Sequence, residues 1–234
     1  MRYDYRSALI VGAGSGLSAS LARVFHREGG MRIGLAARDI AKLHPLTQET
    51  DGVVYPCDAT STDEVDALFE AMENALDGPP DVVVYNASAR ARGPFVELDR
   101  KAVEQALAVT AYGGFLVAQA AARRMLPHKR GAVLFTGASA SVKGYAQSAP
   151  FAMGKFALRG LAQSMARELA PQGIHVAHFV IDGAIRNPGR REPPEAPDSM
   201  LDPDALARAY LDVLRQDRSA WTWEVELRPW VERF

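Results

Sequence analysis

The stretch Pro150 to Leu158 reads PFAMGKFAL, with Phe151 four residues before Lys155. Spacing of four puts both side chains on one face of a helix. A tyrosine at the first place would make a proton donor with an ammonium to assist it, but a phenylalanine has no proton to give. The lysine keeps its meaning. An ammonium in a closed site needs partners that offset its desolvation, and the hydroxyls of a bound ligand would supply them. A replacement donor is sought nearby. Tyr145 lies six residues upstream, and a phenol, with an unperturbed pKa of about 10, is lowered by a neighbouring cation. Ser139, Ser141 and Ser148 are also close in sequence. The plainer reading of Tyr145 is a loop side chain that shapes or packs on a pocket.

A second cluster is VGAGSGLS, where Gly12, Gly14, Ser15, Gly16 and Leu17 follow an apolar run and open a helical pattern. Glycines there let backbone N–H groups approach a pyrophosphate, and a helix N-terminus adds partial positive charge. The spacing departs from G-x-G-x-x-G, because Leu17 stands where the third glycine would be. Tight turns between strand and helix also use glycine for purely structural reasons. Other chemistries find less support. His175 and His178 are three apart in a strand pattern and point to opposite faces, and His26, His44 and His128 lack ligand spacing, so no metal is expected. No G-x-S-x-G elbow is present for hydrolase chemistry.

The elements that must carry these residues alternate. SALIVGAG, MRIGLAAR, GVVYPCD, DVVVYNAS, GAVLFTGAS and GIHVAHFVIDG read as strands. Between them lie amphipathic helices, such as the one after Ser61 with Val65, Leu68, Phe69, Met72 and Leu76 on one stripe. Runs that are apolar on both faces suit parallel strands covered above and below, so the fold class is α/β, a doubly wound parallel sheet. A length of 234 residues fits one domain, 1–234. Asn187 to Pro203 holds five of the 14 prolines and is expected to be a loop without regular structure. After a short helix near Asp204 to Gln216, Trp221, Trp223, Val225 and Leu227 alternate with polar residues, giving a last strand at a sheet edge or subunit contact.

Charge narrows the partners. With 27 basic and 28 acidic residues and a net charge of −1, no field gathers nucleic acid or an anionic membrane, and a small-molecule ligand is favoured. Cys57 is the only cysteine, which excludes an internal disulfide and suits a buried thiol. No run of about 18 apolar residues is expected to span a bilayer, and MRYDYRSALIVGAG enters a strand too early for a signal peptide, so a cytoplasmic protein is expected.

The glycine loop, CDAT after the third strand, YNAS after the fourth, FTGASAS after the fifth and FxxxK on the next helix stand in the order and spacing of one family. In these motifs the chain resembles the short-chain dehydrogenase/reductase family, of the classical type, over nearly its whole length. The resemblance implies a single Rossmann domain with seven strands. It implies that Asp58 and Ala59 meet the adenine, Asn86 and Ala87 line the inner cofactor pocket, and Ile185 touches the nicotinamide amide. In that family an asparagine, a serine, a tyrosine and a lysine work together. Here Thr110, Ala138 and Phe151 stand at the first three places and only Lys155 is retained. At the end of the second strand, LAARD offers no acidic side chain for ribose hydroxyls: Ala37 cannot bind them, and Arg38 presents a guanidinium fork to a 2′-phosphate. NADP(H) is therefore favoured over NAD(H), with Asp39 free to cap the following turn.

The expected function is an NADP(H)-dependent oxidoreductase acting on a carbonyl, an alcohol or an activated double bond, with altered acid catalysis. The alternative is a dinucleotide-binding sensor or partner subunit without turnover, the reading that Phe151 favours. Arg186, Arg190 and Arg191 are expected to meet an anionic group as the proline-rich loop, about 186–203, closes over the substrate. A homo-dimer or homo-tetramer is implied by the resemblance, paired through helices around Ala106 to Met125 and Phe151 to Ala170, with Ala118, Ala121, Ala122, Ala157 and Ala162 allowing close approach.

Overall fold

Seven short strands pair side by side, all parallel, in a computed structural model that describes residues 4–232. The strands are β1 (Ser7–Val11), β2 (Arg32–Ala37), β3 (Val53–Pro56), β4 (Val82–Tyr85), β5 (Gly131–Thr136), β6 (Ile174–Ile181) and, after two short strands named below, β9 (Glu224–Leu227). Their order is β3-β2-β1-β4-β5-β6-β9. Residues 1–3 and 233–234 of the expected domain lie outside the described residues. Every residue of β1, β4, β5 and β6 is buried, as parallel strands covered on both faces require. Alternate residues feed two cores. Ile10, Leu35, Val84 and Phe179 pack under α1 (Leu17–Arg27) and a late helix, α7 (Pro203–Leu214). Leu9, Val83, Val133 and Val176 pack under α3 (Thr62–Leu76), α5 (Gly113–Met125) and α6 (Ala149–Leu169). Two shorter helices, α2 (His44–Thr50) and α4 (Arg100–Leu107), complete the set used here.

Local chemistry sets the helix starts. The Ser61 hydroxyl accepts from the Glu64 amide at 3.3 Å, with Asp63 and Glu64 in the positive first turn of α3. Asp202 accepts from the amides of Asp204 and Ala205 ahead of α7, where Pro203 is preset for the first turn.

Five expectations need correction. The segment 187–203 is not wholly irregular: β7 (Ala184–Ile185) and β8 (Met200–Leu201) pair in parallel at its base, and Asn187 bridges Arg190. The last strand is shorter than the alternating run, because Trp221 leaves the sheet to stack on the His175 ring at 4.5 Å. The helix leading to Met125 is interrupted by a π-helical turn at Ala108–Tyr112 between α4 and α5. Ala118, Ala121, Ala122 and Ala162 face this chain's own core rather than a partner, leaving Ala157 exposed. Spacing gives a helix its stripe but not which stripe the sheet claims. The helical run Arg100–His128 also has the length and apolarity of a membrane span, contrary to expectation, but more than half of its apolar window is buried inside the fold.

Candidate functional site

The carboxyl ends of β1, β4, β5 and β6 open on a cavity of about 280 Å³, at the side of the sheet where chain order reverses between β1 and β4 and where such folds take ligands. Gly12 closes the turn after β1 at φ +84°, and a Cβ there would fall 2.4 Å from the Ala87 amide nitrogen. No side chain fits. Its carbonyl accepts from the Ser18 hydroxyl at 3.1 Å, and the Asn86 side-chain amide donates to that hydroxyl at 2.7 Å. Ser18 thus lashes the glycine loop to the end of β4. Gly16 caps α1 without any side-chain hydrogen bond. A Cβ on Gly14 would stand in open space, and one on Gly16 would meet only Asn187, at 3.8 Å. The first-turn amides of α1 therefore face an open cradle bounded by small residues, which fits a dinucleotide pyrophosphate.

The turn after β3 is equally built. Asp58 Oδ1 accepts from the Thr60 amide at 2.9 Å and hydroxyl at 2.8 Å, while the Asp58 amide donates to Glu64 at 2.8 Å. The Thr60 amide, its hydroxyl and the nearby Arg38 hold the Asp58 carboxyl below its ordinary value against some desolvation. Ala59 is buried, its carbonyl against the start of α5. Arg38 is exposed at the end of β2, and Asp39 caps the turn that follows by accepting from Ala41 at 3.0 Å.

At the other end, Lys155 is 3% exposed and its Nζ donates to the Thr136 carbonyl at 2.6 Å. Burial, with the Arg90 guanidinium adding to it, pushes the ammonium down to about 7. Phe151 is 6% exposed, its ring centroid 5.8 Å from Lys155 Nζ. The Arg90 guanidinium lies over that ring, 4.1 Å from the centroid. Asn86, Ala138, Phe151, Lys155, Ile185 and Asn187 all line the cavity. Thr110 is fully buried instead: its hydroxyl accepts from the Ala89 amide at 3.1 Å, and its Cβ packs so near Gly154 that no larger residue fits there. It fixes the loop after β4 through the π-helical turn, whose Val109 carbonyl accepts from the Tyr85 hydroxyl.

The structure does not bring the proposed replacement donors to Lys155. Tyr145 is 45% exposed on a separate shallow groove with Ala149, Met153 and Phe156, its ring 5.8 Å from Lys143 Nζ. Ser139 sits in a helical turn and Ser141 accepts from the Ala138 amide at 3.1 Å; neither lines the cavity. The arginine cluster also divides. Arg186 is held by Asp202 at 2.5 Å and Arg191 stays outside, so of the three only Arg190 reaches the cavity. Sequence reading missed Arg90, whose partner Phe151 is distant in sequence, and Asn187. The only signal was a pair of arginines, Arg90 and Arg92, in the loop following YNAS.

No group of three metal-ligating side chains occurs among the described residues. His178 is buried with Nδ1 3.1 Å from Glu224, and desolvation lowers it to about 4. Burial pushes the Cys57 thiol up to about 12, which makes it unreactive. A larger hollow of about 390 Å³ lies at the opposite end of the strands, but Arg124 and Arg130 in its wall are committed to Glu73 and Asp81.

A parallel doubly wound sheet with a glycine cradle after β1, a partnered carboxylate after β3 and a buried lysine beside the end of β5 has the form of the NAD(P)-dependent oxidoreductases. The family model for short chain dehydrogenases matches residues 6–192, and the chain belongs to that family. Among its relatives is (+)-borneol dehydrogenase 1 of Salvia officinalis, 32% identical over 190 residues, which are 74% of this chain and 67% of the relative. A short-chain dehydrogenase from Rhodopseudomonas palustris superposes with a TM-score of 0.82 at 35% identity, covering 96% of this chain and 99% of that one. A metagenomic short-chain oxidoreductase in complex with NADP superposes with a TM-score of 0.82 at 25% identity, covering 97% and 99%.

Proposed function

We propose that the protein is an NADP(H)-dependent oxidoreductase that transfers hydride to or from a carbonyl, alcohol or activated double bond without a tyrosine acid. The observation that carries this reading is the buried Lys155 ammonium between the Phe151 ring and the Thr136 carbonyl, beside an open glycine cradle. The cradle amides and the N-terminus of α1 would hold the pyrophosphate, Asp58 the adenine, Arg38 the 2′-phosphate, and Lys155 the nicotinamide ribose. The cofactor, when bound, supplies hydride at the nicotinamide ring. Phe151 gives no proton, so the chain's own contribution at the reacting end is to orient, to exclude water along the apolar ring face, and to present cationic N–H donors to developing negative charge.

Titration of NADPH and NADH at fixed salt tests the cofactor assignment. NADPH is expected to bind more tightly by about 10- to 100-fold, the contribution of a charge-assisted guanidinium pair, and Arg38→Ala should remove most of the difference. Equal affinities in both proteins would refute it.

We also propose a homo-oligomer formed through α5 and α6. Support comes from Tyr112, Phe115, Met153 and Phe156, large apolar side chains left exposed at the starts of these helices, a grouping that soluble monomers seldom leave uncovered. Light scattering at micromolar concentration should give a multiple of 25.4 kDa, and Met153→Glu with Phe156→Glu should lower it. A monomer in the wild type would refute the proposal.

A further inference from the structure

The cavity beside Phe151 is lined by three cationic side chains, Arg90, Lys155 and Arg190, and by no carboxylate. Lys155 is engaged with the Thr136 carbonyl. The two arginines share the lack of an ion pair with exposed arginines such as Arg92 and Arg191, but they alone among these line the cavity. Arg124, Arg159 and Arg186 each meet a carboxylate within 2.6 Å, whereas neither Arg90 nor Arg190 has an ion pair among the described residues.

Arg90 has a platform for its side chain, and the exposed Arg190 has a fixed backbone. The Phe151 ring forms the platform under Arg90 at 4.1 Å, a cation–π contact made by an exposed side chain. Arg190 is fixed by its backbone: its amide donates to the Asn187 carbonyl at 2.9 Å, its carbonyl accepts from the Asn187 amide at 3.0 Å, and the Arg186 to Asp202 ion pair anchors the start of that turn. Desolvation lowers Arg90 from its ordinary value, and the charges of Arg92 and Arg190 lower it further. Holding like charges together is unfavourable, and an anion between them would relieve it.

We propose that Arg90 and Arg190 form the recognition site for an anionic group on the substrate, which makes the natural substrate an oxo or hydroxy acid rather than a neutral ketone or alcohol. This inference rests on the oxidoreductase reading for the identity of the reacting group, but the anion site stands on the two arginines alone. The same chemistry serves a phosphate, including those of the cofactor, so the test separates these sources. Phe151 then has a positive role: an apolar ring carries Arg90 without competing for its N–H groups, as a phenol oxygen would.

The experiment is calorimetric titration of the protein saturated with NADP+, using pyruvate, acetoacetate, levulinate and phenylglyoxylate, each against its methyl ester. At least one acid should bind more tightly than its ester by about 10-fold, with the preference falling as salt rises. Arg90→Leu and Arg190→Leu should each weaken that acid by about 10- to 100-fold and leave the ester unchanged. Arg191→Leu should leave both unchanged. If no acid outbinds its ester, the proposal is overturned. It is equally overturned if the two variants weaken NADPH and not the acid, since the pair would then belong to the cofactor phosphates. If the wild type binds no dinucleotide while an acid still outbinds its ester, the oxidoreductase reading fails and the anion site stands.

Discussion

Phe151→Tyr is expected to raise NADPH-dependent reduction of simple carbonyls by up to about 10² to 10⁴, the range that a positioned general acid contributes. The substitution adds one hydroxyl to a ring already seated beside the machinery that would activate it. Lys155 Nζ is 5.8 Å from the ring centroid and the Arg90 guanidinium lies 4.1 Å above it, so two cations would hold the new phenol below its ordinary value. Ala138 lines the same cavity four residues before Val142, and Ala138→Ser in the same protein should add to the gain by giving the substrate oxygen a second donor. Initial rates over a panel of ketones and aldehydes measure the effect. No gain in either the single or the double variant, with NADPH shown to be bound, would mean that proton delivery does not limit this site and that Phe151 is no lesion in acid catalysis.

Lys155→Met should separate stability from binding. The ammonium of Lys155 is held at about 7 by burial, against about 10.5 for an ordinary lysine. Between those values the unfolded chain binds the proton that the folded chain releases, so the stability of the cofactor-free protein rises with pH through this window. Below about 7 both states bind the proton and the cost of the buried charge is present in full. Replacing the charge with a side chain of similar length should therefore stabilise the free protein by about 1 to 4 kcal/mol near neutrality, and should remove the pH slope between 7 and 10.5. The same change should weaken NADPH by about 10- to 100-fold, since cationic hydrogen bonds to the ribose are lost. Thermal melts with and without cofactor from pH 6 to 10 measure both effects. Unchanged NADPH affinity in a well-folded variant would remove Lys155 from the cofactor site.

How much of this was legible in the sequence depends on the range of the interactions involved. The alternation of strand and helix follows from local apolar patterns, whereas the strand order does not, and the glycine loop, Asp58, Asn86 and Lys155 could be proposed together because their motifs keep a fixed register along the chain. Orientation across elements was not legible. Ala118, Ala121 and Ala122 were assigned outward because a small residue on a helix suits either a partner or a core, and only the packing of α5 on the sheet decides. Tyr145 was placed near Lys155 by proximity in sequence, yet the loop ahead of α6 turns it to the outer surface. Arg186 drew attention as a free cation, although Asp202, 16 residues on, neutralises it. Arg90 passed unnoticed since its meaning lies in Phe151, a contact that forms only when the loop after β4 closes over the start of α6.

The base of the proline-rich loop is pinned twice, by the pairing of Ala184 and Ile185 with Met200 and Leu201 and by the ion pair from Arg186 to Asp202. For protein engineering this works as a socket. The chain between Asn187 and Ser199 can be exchanged for segments of other length and charge while the two clasps keep its ends in register. The part of the cavity wall that Asn187 and Arg190 form can then be rewritten without touching the sheet, the glycine cradle or Lys155.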